Sequence, residues 1–467
     1  MALTTTSGAP ALRDGLTADL NRPRVHFLPP ANWMNDPNGP IFHNGWYHLF
    51  YQHNPFGDVW GHIHWGHTRS RDLVHWEHLP IALYPLHEDG EEHCYSGCAT
   101  IDDQGRPLLI YTSVPFGQKE PGACYAQWAA VGDADLLTWQ RHPANPILAL
   151  DTYGGPALAP DWRDPFIFVE EGRTFLVLGA NTADRANVLL FEAVDASRIR
   201  WRYCGILYSR PRPQTQFLEC PNFFKVDGKW VLLVSPYRNI EYVVGSFDLQ
   251  TLTFQPEVEG VLDPGQRDVP NFYASNILFD PQDRCILFGW VRGFAPGRGW
   301  NGCLALPRVL TIGADGRPRQ AFLPELQQLR QHATTLIGAR VPDGTLPVDG
   351  IFPATLEAEV VFSRGDADAA GIRFVDAGDD RTVAQIRFTG TTLAVQDTVV
   401  PLAVPPGESL RVHLYLDGSV LEVLAGDGSV AVTRLVDAAP ELRVELFAEG
   451  GSAEVARLSI WTLASIA

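Results

Sequence analysis

Short apolar runs, each opened by a turn that contains Gly or Asp, recur along the first two-thirds of the chain. They read Asn44-Gly45-Trp46-Tyr47-His48-Leu49-Phe50, Gly105-Arg106-Pro107-Leu108-Leu109-Ile110-Tyr111, Glu171-Gly172-Arg173-Thr174-Phe175-Leu176-Val177 and Asp227-Gly228-Lys229-Trp230-Val231-Leu232-Leu233. A looser copy is Asp283-Arg284-Cys285-Ile286-Leu287-Phe288. Runs this short, rich in aromatic and branched residues, predict strands. Their spacing of roughly 55 to 67 residues is the mark of a repeat architecture. A weaker motif follows the first four copies, in Asp72-Leu73-Val74-His75-Trp76, Leu136-Leu137-Thr138-Trp139, Arg198-Ile199-Arg200-Trp201 and Thr251-Leu252-Thr253-Phe254. Each predicts the start of an outer strand. About four strands per unit, in five units, predict a five-bladed β-propeller, which hides its sheet edges by radial repetition. The competing arrangement, two β-sandwiches in series, does not call for a long-period repeat.

The rhythm changes after Pro307-Arg308-Val309-Leu310. Leu323, Leu326 and Leu329 stand at helical spacing and predict a linker helix over 323–334. From 335 to 467 come short alternating runs such as Leu356 to Phe362, Ala384 to Phe388 and Val412 to Leu416, with Asp417-Gly418 and Asp427-Gly428 turns. These predict a C-terminal β-sandwich, which leaves residues 1–322 as the all-β propeller.

Composition agrees with turn-rich β structure: Gly 42, Pro 36 and 13 Trp against 2 Met in 467 residues. A formal net charge of -18 argues against nucleic acid or an anionic membrane as partner and favours a neutral ligand. The 7 cysteines are odd in number and form no CxxC pair, so free thiols are expected, with Cys94 and Cys98 the one pair close enough in sequence for a disulfide. Met1 to Asp14 lacks the cationic start and apolar run of a secretory leader, so the expected location is cytoplasmic, or secreted if a leader has been trimmed.

In a propeller the innermost strands line a central funnel. The corresponding positions carry Trp33 to Gly39, Tyr95-Ser96-Gly97-Cys98, Asp161-Trp162-Arg163-Asp164-Pro165, Leu218-Glu219-Cys220-Pro221-Asn222 and Asn271-Phe272-Tyr273-Ala274-Ser275. Asp36 sits among turn formers that would hold a carboxylate at a loop edge, flanked by Trp33 as an apolar wall, Asn35 and Asn38 as hydrogen-bonding groups and Gly39 to let a ligand approach. Three carboxylates at one phase, Asp36, Asp164 and Glu219, suit hydrolysis of a glycosidic bond. The short, held Asp36 suits attack, the longer Glu219 suits acid and base work, and Asp164 is left to stabilise and orient. Crowding of like charges is expected to keep Glu219 protonated near neutral pH. His62, His64 and His67 alternate along a strand but lack a Cys or carboxylate ligand, so they are assigned to packing or sugar contacts and no metal is expected.

These residues resemble glycoside hydrolase family 32, the invertases, inulinases and levanases. Trp33 to Gly39 is similar to that family's sucrose-binding box, Trp162-Arg163-Asp164-Pro165 to its Arg-Asp-Pro motif, and Glu219-Cys220-Pro221 to its Glu-Cys motif. Phe50 to Pro55, Trp65-Gly66-His67 and Asp417 to Val423 extend the similarity over nearly the whole chain. The resemblance implies a retaining β-fructosidase acting on sucrose, fructo-oligosaccharides or fructans, with no cofactor. It implies Asp36 as nucleophile, Glu219 as acid and base, and Asp164 as transition-state stabiliser. A furanose subsite would comprise Asn35, Gln52, Trp60, Ser96, Arg163, Tyr273 and Trp290, with Trp33 and Tyr95 beside it. Leu218, Asn222 and Cys98 depart from the family's usual Trp, Asp and Ser and leave the preferred fructoside open. The alternatives are a fructosyltransferase using the same fructosyl-enzyme and a non-catalytic sugar-binding protein. Expected partners are small or polymeric fructosyl sugars; a homo-oligomer stays open.

Overall fold

Asn44-Gly45, Glu171-Gly172 and Asp227-Gly228 are two-residue hairpin turns in which both residues take left-handed backbone angles, φ 49° and 77°, 48° and 75°, and 49° and 77°. That conformation matches the twist of the strands it joins and explains why the repeat carries Gly at its second turn position. In the computed structural model, which describes residues 15–466 apart from 118–122 and 267–268, these hairpins join the first two strands of three of the four-stranded blades.

Blade 1 comprises Asn32–His43, Trp46–Asn54, His64–Ser70 and Trp76–Leu83, and blade 2 Glu91–Ile101, Pro107–Pro115, Ala126–Gly132 and Trp139–Arg141. Blade 3 comprises Arg163–Glu170, Arg173–Asn181, Arg185–Ala193 and Trp201–Pro211, and blade 4 Glu219–Val226, Lys229–Ser235, Glu241–Asp248 and Thr253–Val261. Blade 5 is built from Phe272–Phe279, Cys285–Val291, Arg308–Ile312 and Pro318–Phe322. The ring is closed by Trp300–Asn301, which pairs in parallel with Asn32 and Trp33 of blade 1.

One irregularity recurs in every blade. Asn35 and Asp36 together oppose Gln52, Tyr95 and Ser96 oppose Thr112, Asp164 and Pro165 oppose Leu178, Cys220 and Pro221 oppose Val234, and Ala274 and Ser275 oppose Gly289. Two residues against one is a β-bulge, which bends its strand and re-aims its side chains. Asp164, Cys220 and Ala274 adopt positive φ of 66°, 47° and 48° to make it. The expected Asp36 turn is therefore a bulged strand. Pro37 is accommodated at the register break, where a missing N–H breaks no ladder bond. Gly39 serves the neighbouring blade rather than a ligand: at φ 48° a Cβ there would lie 2.9 Å from the Ala99 nitrogen.

The expected helix over 323–334 is shorter and of another kind. Pro324–Leu329 forms a 3-10 helix, whose three residues per turn match the spacing of Leu323, Leu326 and Leu329, and Arg330–Val341 is already a strand. Two six-stranded sheets then pack face to face, enclosing Leu356, Val360, Ile372, Phe374, Ile386, Leu414 and Leu446. Among the described residues all 7 cysteines are free thiols and no helix is long and apolar enough to cross a membrane.

A buried charge network joins sandwich to propeller. His26 Nδ1 lies 2.8 Å from Asp417 Oδ2 and its Nε2 2.9 Å from Glu422 Oε1, which calls for a proton on both ring nitrogens. Glu422 also accepts the Leu306 N–H at 2.7 Å and pairs with the buried Arg308, which donates to Asp263 at 2.8 Å and to Thr433 at 2.7 Å. Burial pulls the His26 pKa down, but the hydrogen bonds and charges of Asp417 and Glu422 outweigh it and hold it at about 9. Replacing His26 by Ala leaves buried acids short of a partner and should cost about 3–5 kcal/mol of unfolding free energy. Because the folded pKa exceeds the unfolded 6.5, the stabilisation is complete below pH 6.5 and is lost as pH rises through about 9. Thermal midpoints recorded from pH 6 to 10 should fall more steeply for the wild type than for H26A.

Candidate active site

The bulges bring Asp36, Asp164 and Glu219 to one place at the ring's axis. The Cys220 N–H donates to Asp164 Oδ2 at 2.9 Å, and Cys220 Sγ lies 3.6 Å from Asp36 Oδ2 and 3.8 Å from Asp164 Oδ2. Cys220 thus stands between the two aspartates, a placement the sequence did not reveal beyond its position next to Glu219. Asp164 is fixed from behind by its own N–H, which donates to Thr112 Oγ1 at 3.0 Å.

Asp36 is held mainly through one oxygen. Its Oδ2 accepts from Ser96 Oγ at 2.5 Å and from Gln52 Nε2 at 3.3 Å, whereas Oδ1 accepts only from Asn35 Nδ2, at 3.0 Å. Asn35 is itself fixed, donating to Gln52 Oε1 at 2.7 Å and accepting from Trp33 Nε1 at 2.7 Å. Trp33 meets Trp290 edge-on with ring centroids 5.6 Å apart. Blades 1, 2 and 5 therefore supply one aromatic and amide wall.

Glu219 sits in a different environment. Arg163 Nη2 donates to its Oε1 at 2.9 Å, and Tyr273 Oη lies 2.7 Å from its Oε2. Tyr273 Oη is also 2.9 Å from the Ser235 carbonyl and accepts the Tyr237 N–H at 2.9 Å. A hydroxyl has one proton, so Tyr273 donates either to ionised Glu219 or to Ser235, and in the second case it can accept from protonated Glu219. Arg163 further donates to Tyr237 Oη at 2.6 Å and stacks on Phe217 with 3.8 Å to the ring centroid. Tyr237, held at φ 63° in the loop after Lys229–Ser235, carries no motif and was not legible in the sequence.

Crowding of the acids marks both aspartates. Burial raises the Asp164 pKa most, Arg163 opposes it, and the charges of Glu219 and Asp36 add to it, leaving it at about 7. Asp36 is also raised, first by burial and then by Glu219, against the pull of its Ser96 and Asn35 hydrogen bonds. The Arg163 guanidinium lies 2.9 Å from Glu219 Oε1 and its Nε 3.9 Å from Asp164 Oδ2.

Of the residues expected in the subsite, Trp33, Asn35, Gln52, Ser96, Arg163, Tyr273 and Trp290 form one contact network with the acids. Trp60 and Tyr95 stand at the rim, centroids 6.2 Å apart, with His93 stacked on Tyr95 and Trp60 48 % exposed. Leu218, Cys98 and Asn222, the positions that depart from the family's usual residues, are buried, Leu218 and Cys98 within hydrophobic clusters. His67 is bound to His48 at 3.0 Å and stacked on Phe50, a packing role.

A propeller that gathers carboxyl groups in two unlike environments offers the arrangement that paired-acid cleavage of a glycosidic bond requires. Residues 26–321 match the glycosyl hydrolases family 32 N-terminal domain and residues 325–462 the family 32 C-terminal domain. The chain belongs to this family. It is 30% identical to the sucrose-6-phosphate hydrolase of Zymomonas mobilis, over 94% of this chain and 92% of that one, and 28% identical to that of Escherichia coli, over 94% of each. The fructan 1-exohydrolase IIa of Cichorium intybus shares the fold, with a TM-score of 0.83 at 23% identity over 96% of this chain and 98% of that one.

The Asp164 titration can be read from stability. Its folded pKa of about 7 lies above the ordinary 3.8, so the native state binds this proton more tightly and loses stability as pH rises between those values. Asp164→Asn should flatten that part of the thermal-midpoint profile from pH 4 to 8. It should also lower kcat by roughly a hundredfold or more, as removal of a preorganised stabilising group does. An identical slope in both proteins would assign the proton elsewhere.

Proposed function

We propose that the protein is a retaining β-fructosidase, releasing terminal β-fructofuranosyl units from sucrose, fructo-oligosaccharides or the ends of fructans such as inulin and levan. The observation that carries this reading is the contrast between Asp36, braced on one oxygen by amide and hydroxyl donors, and Glu219, set between Arg163 and Tyr273. The names of the relatives, sucrose-6-phosphate hydrolases and β-fructofuranosidases, support the same substrate class.

Asp36 Oδ1, the less encumbered oxygen, attacks the anomeric carbon of the fructosyl unit. Glu219 passes its proton to the departing oxygen, so the glycosidic bond breaks as the carboxylate–carbon bond forms. Tyr273 answers the change by turning its own proton from Ser235 to the newly ionised Glu219. In the second half Glu219 takes a proton from water, water attacks the same carbon, and Asp36 leaves. Asp164, whose Oδ2 is occupied by the Cys220 N–H, offers Oδ1 to the sugar hydroxyls.

Incubation with sucrose, inulin and levan in parallel, followed by separation of free fructose from transfer products, tests both substrate and acceptor. Free fructose should dominate, and the first-formed anomer seen by NMR should be β. Glu219→Gln should lower kcat on sucrose by roughly 10² to 10⁴ and affect an aryl fructoside with a good leaving group less. A fully active E219Q protein, or release of the α-anomer first, would overturn the assignment.

A further inference from the structure

A cavity of about 390 Å³ lies apart from the funnel, between the segment 16–30, the outer strand of blade 1, Trp76–Leu83, and residues 465–466. Its wall is largely apolar, running from Leu28, Pro30 and Ile466 to Phe27 and Trp76, whose ring centroids are 5.8 Å apart. The segment is fixed, since the Arg24 N–H donates to Asp417 Oδ1 at 2.8 Å and the Arg24 carbonyl accepts from the Ile466 N–H at 3.0 Å. The cavity is therefore preformed, as small-molecule sites usually are.

Two arginines line it, and neither pairs with a carboxylate among the described residues. Arg22 is 9 % exposed; its Nη2 donates to the Pro29 and Pro30 carbonyls at 2.8 and 3.3 Å, and its Nη1 has no partner among the described residues. Arg24, exposed at the mouth, donates from its side chain to the Thr17 carbonyl at 3.2 Å. His78 sets its ring 5.2 Å from that of Phe27, and its buried Nδ1 likewise has no partner among the described residues. The other ionisable groups of the wall are matched. Asp19 accepts from Trp300 Nε1 at 2.8 Å and faces Arg298 at 3.5 Å, and His26 is held between Asp417 and Glu422. Burial pulls the Arg22 pKa down to about 10 against Cys303 and Asp19, and burial together with the Arg22 charge holds His78 at about 4, so His78 is neutral.

A guanidinium and a ring nitrogen left unmatched in an apolar chamber call for an anion with an apolar body. Phosphate fits poorly. Because Nη2 of Arg22 is spent on two carbonyls, the guanidinium cannot present its two-pronged fork and offers a single nitrogen instead. We propose that this cavity binds a small organic acid, its carboxylate received by Arg22 and Arg24 and its apolar body laid against Phe27 and Trp76. The site is separate from the fructoside funnel, and a ligand in it braces the segment whose His26 ties propeller to sandwich. A net charge of -18 repels anions at long range, so affinity arises from these local cations and falls as salt is added.

Calorimetry on the whole protein with 3-phenylpropionate, its neutral amide and inorganic phosphate tests the proposal. The acid should bind one to one with a dissociation constant of about a millimolar or below, at least roughly tenfold more tightly than the amide or phosphate. It should also raise the thermal midpoint. Arg22→Gln should weaken binding roughly ten- to a hundredfold. Since Arg22 also holds two carbonyls, Arg24→Gln and His78→Phe serve as milder variants, each weakening binding several-fold. Saturating fructose should leave the constant unchanged, because the funnel is a different site. Absence of acid binding at about 10 mM, equal binding of acid and amide, displacement by fructose, or wild-type affinity in both R24Q and H78F would each overturn the proposal.

Discussion

The site depends on a two-against-one bulge at the same level in the innermost strand of all five blades. A regular strand sends alternate side chains to opposite faces of its sheet, and neither face of a propeller blade looks down the axis. The extra residue breaks that alternation. It aims Asp36, Ser96 and Asp164 at the funnel and leaves Glu219 as the last residue before the break. The cost is backbone strain at the non-glycine residues Asp164, Cys220 and Ala274, and strain of this kind collects where geometry serves chemistry. Cross-blade hydrogen bonds hold it in place, from Cys220 to Asp164 and from Asn276 to the Pro37 carbonyl.

Three acids in so small a space need an opposing charge, and Arg163 supplies it. It meets Glu219 directly, approaches Asp164, and rests on Phe217 and Tyr237. One cation among three carboxyls leaves an excess that is relieved by keeping a proton. Asp164 shows it: burial first, then the charges of Glu219 and Asp36, carry its pKa up to about 7 against the pull of Arg163.

Much of this was legible in the chain because hairpins and blades impose local chemistry. Left-handed turn positions favour Gly, and its return at Gly45, Gly105, Gly172 and Gly228, each followed by a short apolar run, disclosed the repeat. The acids were legible for the same reason, Asp36, Asp164 and Glu219 lying 8, 7 and 8 residues before the turns at Asn44, Glu171 and Asp227. The bulges were not, since a register shift is set by the partner strand. The linker was misjudged because a spacing of three fits a 3-10 turn as well as an α-helix. Tyr237 and the Cys220 contacts to both aspartates arise only when blades meet, and no local pattern announces them.

The strap from Trp300–Asn301 to Asn32 and Trp33 joins the two ends of the ring, and His26 reaches an aspartate 391 positions further on. During synthesis Asp36 emerges early, while its Trp290 wall, its strap and the sandwich that anchors His26 arrive only near the end. A ribosome-bound fragment therefore carries Asp36 without a pocket around it. Long-range closures of this sort are slow to find, so competence appears in one late step instead of accumulating blade by blade.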